Sequence, residues 1–222
     1  MNVCEAIKER RSYRIFKKDP VPKDLIEKII NAGQQAPSSC NMQPWEFVVV
    51  SRQERDRLSQ LLLKSFSDQG KKYDILGKES YYPPQILERR KKFFRDVFKE
   101  LGKQKVSPMK FVMEGTLRFY GAPIIILVFI DNAMEKRFLF DIGTCVQNIL
   151  LAAQAEGLGS HLIGLILKYQ NAVKETLQIP PEKEMVVGIC LGYPDLENPI
   201  NDFKPDRVNL AQIVQWSGFN SN

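Results

Sequence analysis

The sequence is poor in metal-ligating and disulfide-forming residues. Its 222 residues include one histidine and four cysteines, and the cysteines are widely separated at Cys4, Cys40, Cys145 and Cys190. No C-x-x-C pair occurs, and His161 stands at no metal-ligand spacing from any cysteine. This scarcity argues against a zinc site or a disulfide framework and predicts free thiols, which are typical of a reducing compartment.

The sequence also lacks a long apolar segment. The longest apolar run, 122–130, is far shorter than the ~20 residues with which a helix crosses a bilayer. The residues from Glu5 to Arg14 are largely charged and polar, so we expect no signal peptide before the fold. These features predict a cytoplasmic protein that has no membrane partner.

No class of residue is in marked excess. The sequence is 44% hydrophobic and 26% charged, which is ordinary for a globular protein and excludes disordered and fibrous classes. The length allows one sizeable core, so residues 1–222 are predicted to form a single domain. A net charge of +6 permits an anionic ligand, but the basic residues lie in short scattered clusters that are typical of solvated helix faces. We therefore predict no nucleic acid partner.

Hydrophobic spacing predicts a mixture of helices and strands. Helices are predicted at 3–9, 23–35, 52–66, 86–101 and 138–156, and strands at 45–50, 124–131 and 185–191. Strand 124–131 is apolar on both faces, so it should be central in its sheet. Helix 138–156 is apolar nearly all round, which predicts packing on two sides, and another subunit could supply the second. The predicted fold class is α+β, with helices about a central sheet.

Basic and hydroxyl side chains cluster near the start of the chain. The cluster consists of Arg10, Arg11, Ser12 and Arg14. These groups offer the charge-assisted and bidentate hydrogen bonds that a phosphate monoester prefers. An ordinary basic turn on the surface is the competing interpretation. Lys204 and Arg207 could join the same site if the C-terminal tail folds back.

A polar loop follows the second predicted helix. It begins at Pro37, and its hydroxyl and amide side chains belong to Ser38, Ser39, Asn41 and Gln43. Such groups both donate and accept hydrogen bonds, as the edge of a flat ring bearing carbonyls and ring nitrogens requires. An ordinary polar turn before a strand would have the same composition.

Gly157 and Gly159 do not form a dinucleotide fingerprint. They follow a predicted helix, whereas the fingerprint follows a strand and opens a helix, so a Rossmann site is rejected. Gly164 would instead let backbone N–H groups approach a bound ring closely.

Taken in order along the chain, these motifs resemble the FMN-dependent nitroreductase family. The matching residues are Arg10-Arg11-Ser12-x-Arg14, Ala36-Pro-Ser-Ser-x-Asn41-x-Gln43-Pro44-Trp45, Gly157-x-Gly159 with Ile163-Gly164, Gly192-Tyr193-Pro194 and Lys204-Pro-x-Arg207. The resemblance covers the chain from Val3 to about Leu210. The match at 36–45 is its most specific part.

The resemblance implies an α+β fold in which helices cover a central, mostly antiparallel mixed sheet. It also implies an intertwined homodimer whose two FMN sites lie at the interface and are each built by both subunits. Such an interface would account for the two apolar sides of helix 138–156.

The resemblance further implies roles for individual residues. Arg10, Ser12, Lys204 and Arg207 would hold the FMN phosphate, while Arg11 and Arg14 would lie along the ribityl and pyrimidine side. The other subunit would supply Pro37, Ser38, Ser39 and Asn41, with Gln43 either fixing this loop or reaching the ring. The isoalloxazine ring would lie against Leu162, Ile163 and Gly164. A cation beside the pyrimidine would stabilise negative charge on the reduced ring.

The implied activity is hydride transfer from NADH or NADPH, through FMN N5, to nitroaromatics, quinones or similar electron-poor small molecules. The reaction would be ping-pong, and no catalytic residue beyond the flavin is expected because hydride transfer needs no acid or base side chain. Two alternatives stay open. One is a flavin-dependent reductive dehalogenase of halophenols, and the other is a non-catalytic flavin-binding or regulatory protein.

Residues 67–118 form a longer segment than compact members of that family have. We expect a lid-like insertion that shapes the acceptor pocket. Its aromatic candidates are Tyr73, Tyr81, Tyr82, Phe93 and Phe94, for each of which a structural role is the simpler interpretation. His161, beside the flavin motif, is a further candidate for ligand contact.

Overall fold

The computed structural model describes residues 1–68, 82–103 and 105–219, in which helices and strands alternate irregularly. The α-helices are α1 (Val3–Glu9), α2 (Lys23–Gln34), α3 (Arg52–Asp68), α4 (Pro84–Lys103), α5 (Pro108–Leu117), α6 (Leu139–Ala155) and α7 (Gln170–Thr176). The strands are β1 (Glu46–Ser51), β2 (Ile124–Asp131), β3 (Gly159–Ile163) and β4 (Lys183–Gly192). This order confirms the predicted α+β class.

The strands form one antiparallel sheet in the order β1-β2-β4-β3. Strand β2 pairs on both sides and is buried along almost its whole length, which confirms the central position predicted from its two apolar faces. A single parallel bridge joins Ser12 to Ser160 on the free edge of β3. The sheet is therefore antiparallel with a small parallel component at this edge.

Helices cover both faces of the sheet. On one face, α2 and α6 pack together and contribute to an apolar cluster that includes Ile126 and Ile149. Gly33 permits this close approach, because a Cβ at this position would lie 2.5 Å from Ile149 Cγ1. On the other face, α3 and α5 contribute Leu58 and Leu117 to a second cluster. The sheet thus has an apolar core on each side.

Helix α6 is the most apolar long helix of the chain. Together with the turn before it, Lys136–Ala155 is long and apolar enough to cross a membrane, by length and composition alone. Core helices share this composition, and α6 buries Ile142, Cys145 and Ile149 within the chain. At its start, however, Phe140 is 76% exposed. One apolar side of α6 is therefore covered within the chain, while its first turn presents an aromatic ring outward.

The sequence patterns do not predict β3, α5 or α7. Strand β3 is short and contains Gly159, and glycine is depleted in strands because it offers no side chain to pack. Helix α5 lies in the weakly patterned 67–118 segment. The predicted elements are confirmed, although their ends move by a few residues: β1 begins at Glu46, and β4 extends over Lys183–Gly192.

Candidate functional site

The arginine segment leaves the first helix and continues along the edge of the sheet. The backbone N–H of Arg10 closes the last turn of α1 by donating to Ala6 O at 2.9 Å. Tyr13 N then donates to Ser160 O of β3 at 3.0 Å, which places Ser12 beside Ser160. The segment is therefore anchored to a helix at one end and to the edge strand at the other.

The C-terminal segment folds back onto the arginine segment. Lys204 Nζ donates a hydrogen bond to Lys8 O at the end of α1. The fully buried Asn201 accepts a hydrogen bond from Arg14 N at 2.7 Å. These contacts bring Lys204 and Arg207 to the N-terminal basic residues. The C-terminal tail therefore folds back, as a single anion site built from both segments requires.

A cavity of about 110 Å³ lies between these two segments. Its lining residues are Arg10, Arg11, Ser12, Arg14, Phe93, Phe203, Lys204, Pro205 and Arg207. We call it the basic cavity, because five of these residues are cationic and none of those described here is acidic. Guanidinium, ammonium and hydroxyl donors around a small space suit a phosphate monoester.

The cations of the basic cavity are poorly compensated. Burial, and then the like charge of Arg207, lowers the pKa of Arg10 from its ordinary value. Burial also lowers the pKa of Arg14. Arg11 Nε is buried and has no hydrogen-bond partner in the described part of the chain, and Asp202 Oδ1 lies 3.8 Å from Arg11 Nη2. A bound dianion would supply both the missing acceptor and the missing charge.

The polar loop is fixed to helix α6 and faces outward. Ser39 N donates to the buried carboxylate of Asp141 at 3.0 Å, and Gln43 N donates to Ser38 Oγ at 3.0 Å. Asn41 and Gln43 have φ values of 56° and 47°, in the left-handed region that costs energy for residues other than glycine. The exposed or half-buried members are Pro37, Ser38, Ser39, Asn41 and Gln43. The loop is thus held in an uncommon conformation with its polar groups available.

The end of β3 presents an open backbone. Leu162 is 42% exposed, whereas Ile163 is buried. A Cβ added at Gly164 would meet nothing within 4 Å, so packing within this chain does not require the glycine. Neither these residues nor the polar loop is among the residues that line the basic cavity. The chain therefore gathers the six predicted phosphate and ribityl residues but leaves the two predicted ring-binding segments outside that cavity.

His161 is a partly buried residue whose ring packs inward. The ring meets the Tyr120 ring edge-on, with 4.7 Å between centroids, and Nδ1 is buried with no hydrogen-bond partner among the described residues. Burial, and then the charge of Arg14, lowers the pKa of His161 to about 3, so the imidazole is neutral at physiological pH. Among the described residues, no group of three or more His, Cys, Asp or Glu could hold a metal ion.

A larger cavity adjoins the basic cavity at Arg14. It measures about 700 Å³ and lies between α3 and α5, with Leu63, Phe111 and Tyr120 in its walls. Acidic side chains at Asp56 and Glu114 also line it, unlike the basic cavity. This space is larger than the basic cavity, and a further cavity beside α2, lined by Val21, Ile26 and Arg52, is larger still at about 1120 Å³. The charge of the lining residues, and not size, favours the basic cavity for an anion.

Sequence reasoning missed several residues that build the site. Phe203 and Pro205 line the basic cavity, and their only sequence signal is their position beside Lys204. Asn201 and Asp141 act through hydrogen bonds that join distant parts of the chain, so no local pattern identifies them.

The aromatic candidates of the insertion lie in different places. Phe93 lines the basic cavity, while Tyr82 and Phe94 lie beneath the Arg90 guanidinium. Tyr73 and Tyr81 are outside the described residues.

An antiparallel sheet with helices on both faces, and with a basic cavity beside its edge strand, defines an α+β protein with a cavity suited to an anion. The nitroreductase family model matches residues 7–193. The chain belongs to the nitroreductase family.

Individual relatives cover nearly the whole chain. The nitroreductase NfnB of Mycolicibacterium smegmatis is 30% identical over 213 residues, which is 95% of this chain and 91% of that protein. A crystal structure of the FMN-dependent nitroreductase NfnB from Mycobacterium smegmatis, in complex with NADPH, superposes with a TM-score of 0.87 and 30% identity over 97% of this chain and 98% of the other. Rat iodotyrosine deiodinase 1 is 24% identical over 95% of this chain and 67% of its own length.

Proposed function

We propose that this chain is an FMN-dependent oxidoreductase that passes hydride from NADH or NADPH to nitroaromatics, quinones or similar electron-poor small molecules. The basic cavity is the observation that carries the proposal, because it gathers five cations and no acid among the described residues that line it. The chain also belongs to a family in which an FMN-dependent member was solved with NADPH. FMN, when bound, supplies a ring that accepts and donates hydride at N5. No acid or base side chain of the chain is assigned to the transfer.

The basic cavity suits the phosphate of FMN. Arg10, Ser12, Lys204 and Arg207 would donate hydrogen bonds to the phosphate oxygens. At present Lys204 donates to Lys8 O, and Arg207 to the backbone of its own segment, at 2.9 Å to Pro205 O. These donors are thus close together and already oriented by weak backbone acceptors that a dianion would outcompete.

Two further arginines would act beside the phosphate. Arg11 and Arg14 would lie along the ribityl and pyrimidine side, where a cation stabilises the negative charge that reduction places on the ring. Arg14 is buried and held by Asn201 through its backbone, which fixes the cation in a region shielded from water. The backbone at Leu162, Ile163 and Gly164 would lie against the ring face.

We further propose that the protein is a homodimer in which the polar loop reaches the flavin of the other subunit. Pro37, Ser38, Ser39, Asn41 and Gln43 would make that contact. In support, large apolar side chains at Phe140, Trp216 and Phe219 are 76%, 63% and 72% exposed in the single chain. The Trp216 and Phe219 rings pack against each other at 5.2 Å between centroids, and exposed apolar surface of this kind is typical of an interface. Phe140 lies on the same helix as Asp141, which holds the loop.

Residues 1–222 would form one FMN-binding domain, with 67–118 as its insertion. The four cysteines are free, as a reducing compartment allows, which supports a cytoplasmic location.

A panel of acceptors tests this activity. The FMN-loaded protein should oxidise NADH or NADPH in the presence of nitroaromatics or quinones, and double-reciprocal plots at several acceptor concentrations should be parallel, as a ping-pong reaction requires. Intersecting lines would refute the ping-pong mechanism. Turnover confined to halophenols would instead favour reductive dehalogenation, the second candidate that the similarity to iodotyrosine deiodinase supports.

A further inference from the structure

Helix α4 of the insertion reaches the basic cavity. Phe93 on this helix is one of the lining residues, and its ring meets that of Phe203 edge-on, with 5.9 Å between centroids. Phe203 directly precedes Lys204 and lies 5.9 Å beneath the Arg14 guanidinium. The helix therefore forms part of the wall around the cations.

A polar contact joins α4 to the same C-terminal segment. Lys92 Nζ lies 2.9 Å from Asp206 Oδ2 and 2.7 Å from Asp96 Oδ2. Asp206 directly precedes Arg207, and its hydrogen bond with Lys92 lowers its pKa. The carboxylate next to Arg207 in the sequence is thus paired with α4.

An apolar contact continues the junction on the buried side of α4. Val97 and Leu101 are buried and form one cluster with the buried Ile200. The points at which α4 meets the C-terminal segment are therefore Ile200, Phe203 and Asp206. These are spaced every third residue and lead directly to Lys204 and Arg207.

We propose that α4 is a structural component of the FMN phosphate site, and that docking of α4 is thermodynamically coupled to binding of the phosphate. This inference rests on the proposed function, because FMN is the ligand considered. The mutual repulsion of the cations in the basic cavity disfavours packing of α4 against it, and a bound phosphate would neutralise that repulsion. By linkage, contacts that hold α4 in place strengthen FMN binding by the same factor with which FMN strengthens α4 docking. Phe93 lines the cavity, whereas Lys92 is a positioning residue that acts through Asp206.

Two adjacent aromatic residues of α4 allow a matched test. Phe94 packs 5.5 Å from Phe93 between ring centroids, but it does not line the basic cavity. Flavin fluorescence titrations with FMN and with riboflavin, which lacks the phosphate, separate the phosphate contribution from general effects. Phe93→Ala should raise the Kd for FMN about 5-fold, through loss of an aromatic contact at the cavity, and leave the Kd for riboflavin unchanged. Phe94→Ala should leave the ratio of the two Kd values as in the wild type.

The positioning role of Lys92 has its own control. Lys92→Met should raise the Kd for FMN about 2-fold, a small change because the ion pair with Asp206 is exposed to solvent. Lys99→Met, an exposed lysine on the same helix, should leave it unchanged. Hydrogen exchange should show that FMN protects the amides of α4 more than riboflavin does, and that Phe93→Ala removes this difference.

The outcomes separate the inference from the proposed function. Three results would each overturn the coupling without affecting FMN binding itself. They are equal Kd changes for Phe93→Ala and Phe94→Ala, an equal loss of affinity for FMN and riboflavin in Phe93→Ala, and amide exchange in α4 that does not change when FMN binds. A wild-type protein that binds no FMN would overturn the proposed function and this inference together.

Discussion

At the scale of single residues, the cations of the basic cavity lie close together with little counter-charge, since Asp202 pairs only with Arg11, at 3.8 Å, among the described contacts. Arg10 has a lowered pKa through burial and through Arg207, so this pair is unfavourable until an anion arrives. We expect Arg10→Gln combined with Arg207→Gln to weaken FMN binding by at least about 3 kcal/mol, or about 100-fold, because two charge-assisted hydrogen bonds are lost. Flavin retained after gel filtration, and the Kd from fluorescence titration, measure this change.

The matched control removes two charges elsewhere. Lys17→Gln with Lys18→Gln alters exposed lysines and should leave the Kd for FMN unchanged. Full flavin content in the Arg10 and Arg207 double variant would contradict the phosphate assignment.

His161 should make the stability of the protein depend on pH. Its folded pKa of about 3 lies below the ordinary value of 6.5, so the unfolded chain binds the proton more readily, and stability falls as pH decreases through this interval. From pH 7 to pH 5, His161 alone should remove about 2 kcal/mol from the free energy of unfolding. Urea unfolding at both pH values should show this loss, and His161→Gln should show a loss about 2 kcal/mol smaller. The same pH dependence in both proteins would refute the buried neutral imidazole.

Sequence reasoning at this scale succeeded where residues carry an unusual charge or hydroxyl pattern. The group Arg10, Arg11, Ser12 and Arg14 stands out within five positions, and Lys204 with Arg207 repeats the chemistry far away. Phe203 could not be identified in this way, because an aromatic residue beside a cation is common and only folding brings it under Arg14.

At the scale of elements, one carboxylate joins a helix to the polar loop. Asp141 in the first turn of α6 accepts from Ser39 N, and the loop depends on this bond because Cys40, Asn41 and Gln43 adopt left-handed backbone angles. Asp141→Asn should weaken the loop conformation by about 1 kcal/mol, since a charged acceptor becomes a neutral one. Amide exchange of Ser39 and its neighbours should accelerate, and the Kd for FMN should rise several-fold.

Glu135→Gln provides the comparison for this prediction. Glu135 is an exposed acid just before α6 that pairs with Arg137. The Glu135→Gln substitution therefore removes one negative charge near the same helix, as Asp141→Asn does. Loop exchange that responds equally to both substitutions would show that the helix charge, and not the Ser39 bond, holds the loop.

The sequence patterns missed elements that form mainly through contacts with distant parts of the chain. β3 contains Gly159 and Ser160, yet it forms because β4 offers it an edge along Gly188–Gly192. Strand β2, by contrast, is apolar at nearly every position, so its own sequence is enough to predict it. Local patterns therefore identified the centre of the sheet but not the edge that carries the site.

At the scale of the whole molecule, the exposed apolar residues predict a dimer. Phe140→Asp should give a monomer in sedimentation velocity, because a charge would be buried at the interface, and the same variant should lose flavin if both subunits build each site. Leu196→Asp, at another exposed apolar residue, should leave the dimer intact. A wild-type protein that sediments as a monomer yet binds FMN fully would contradict the shared site.

The α+β class and the central strand were predictable because hydrophobic periodicity determines them. The relation between the two parts of the site was not predictable from pattern. Arg10 and Ser39 are near in sequence, but the structure places one in the basic cavity and the other on a loop fixed to α6. That these two segments serve different FMN molecules is implied by the family resemblance and stays a prediction.

Anaerobic titration of the FMN-loaded protein with NADPH, and separately with NADH, tests the central claim most directly. The visible flavin absorbance should disappear after about one equivalent of at least one nicotinamide per flavin, since a single hydride reduces each ring. It should return when a nitroaromatic or a quinone is then added. A colourless protein that takes up no FMN, or a bound flavin that stays oxidised with both nicotinamides, would contradict the account.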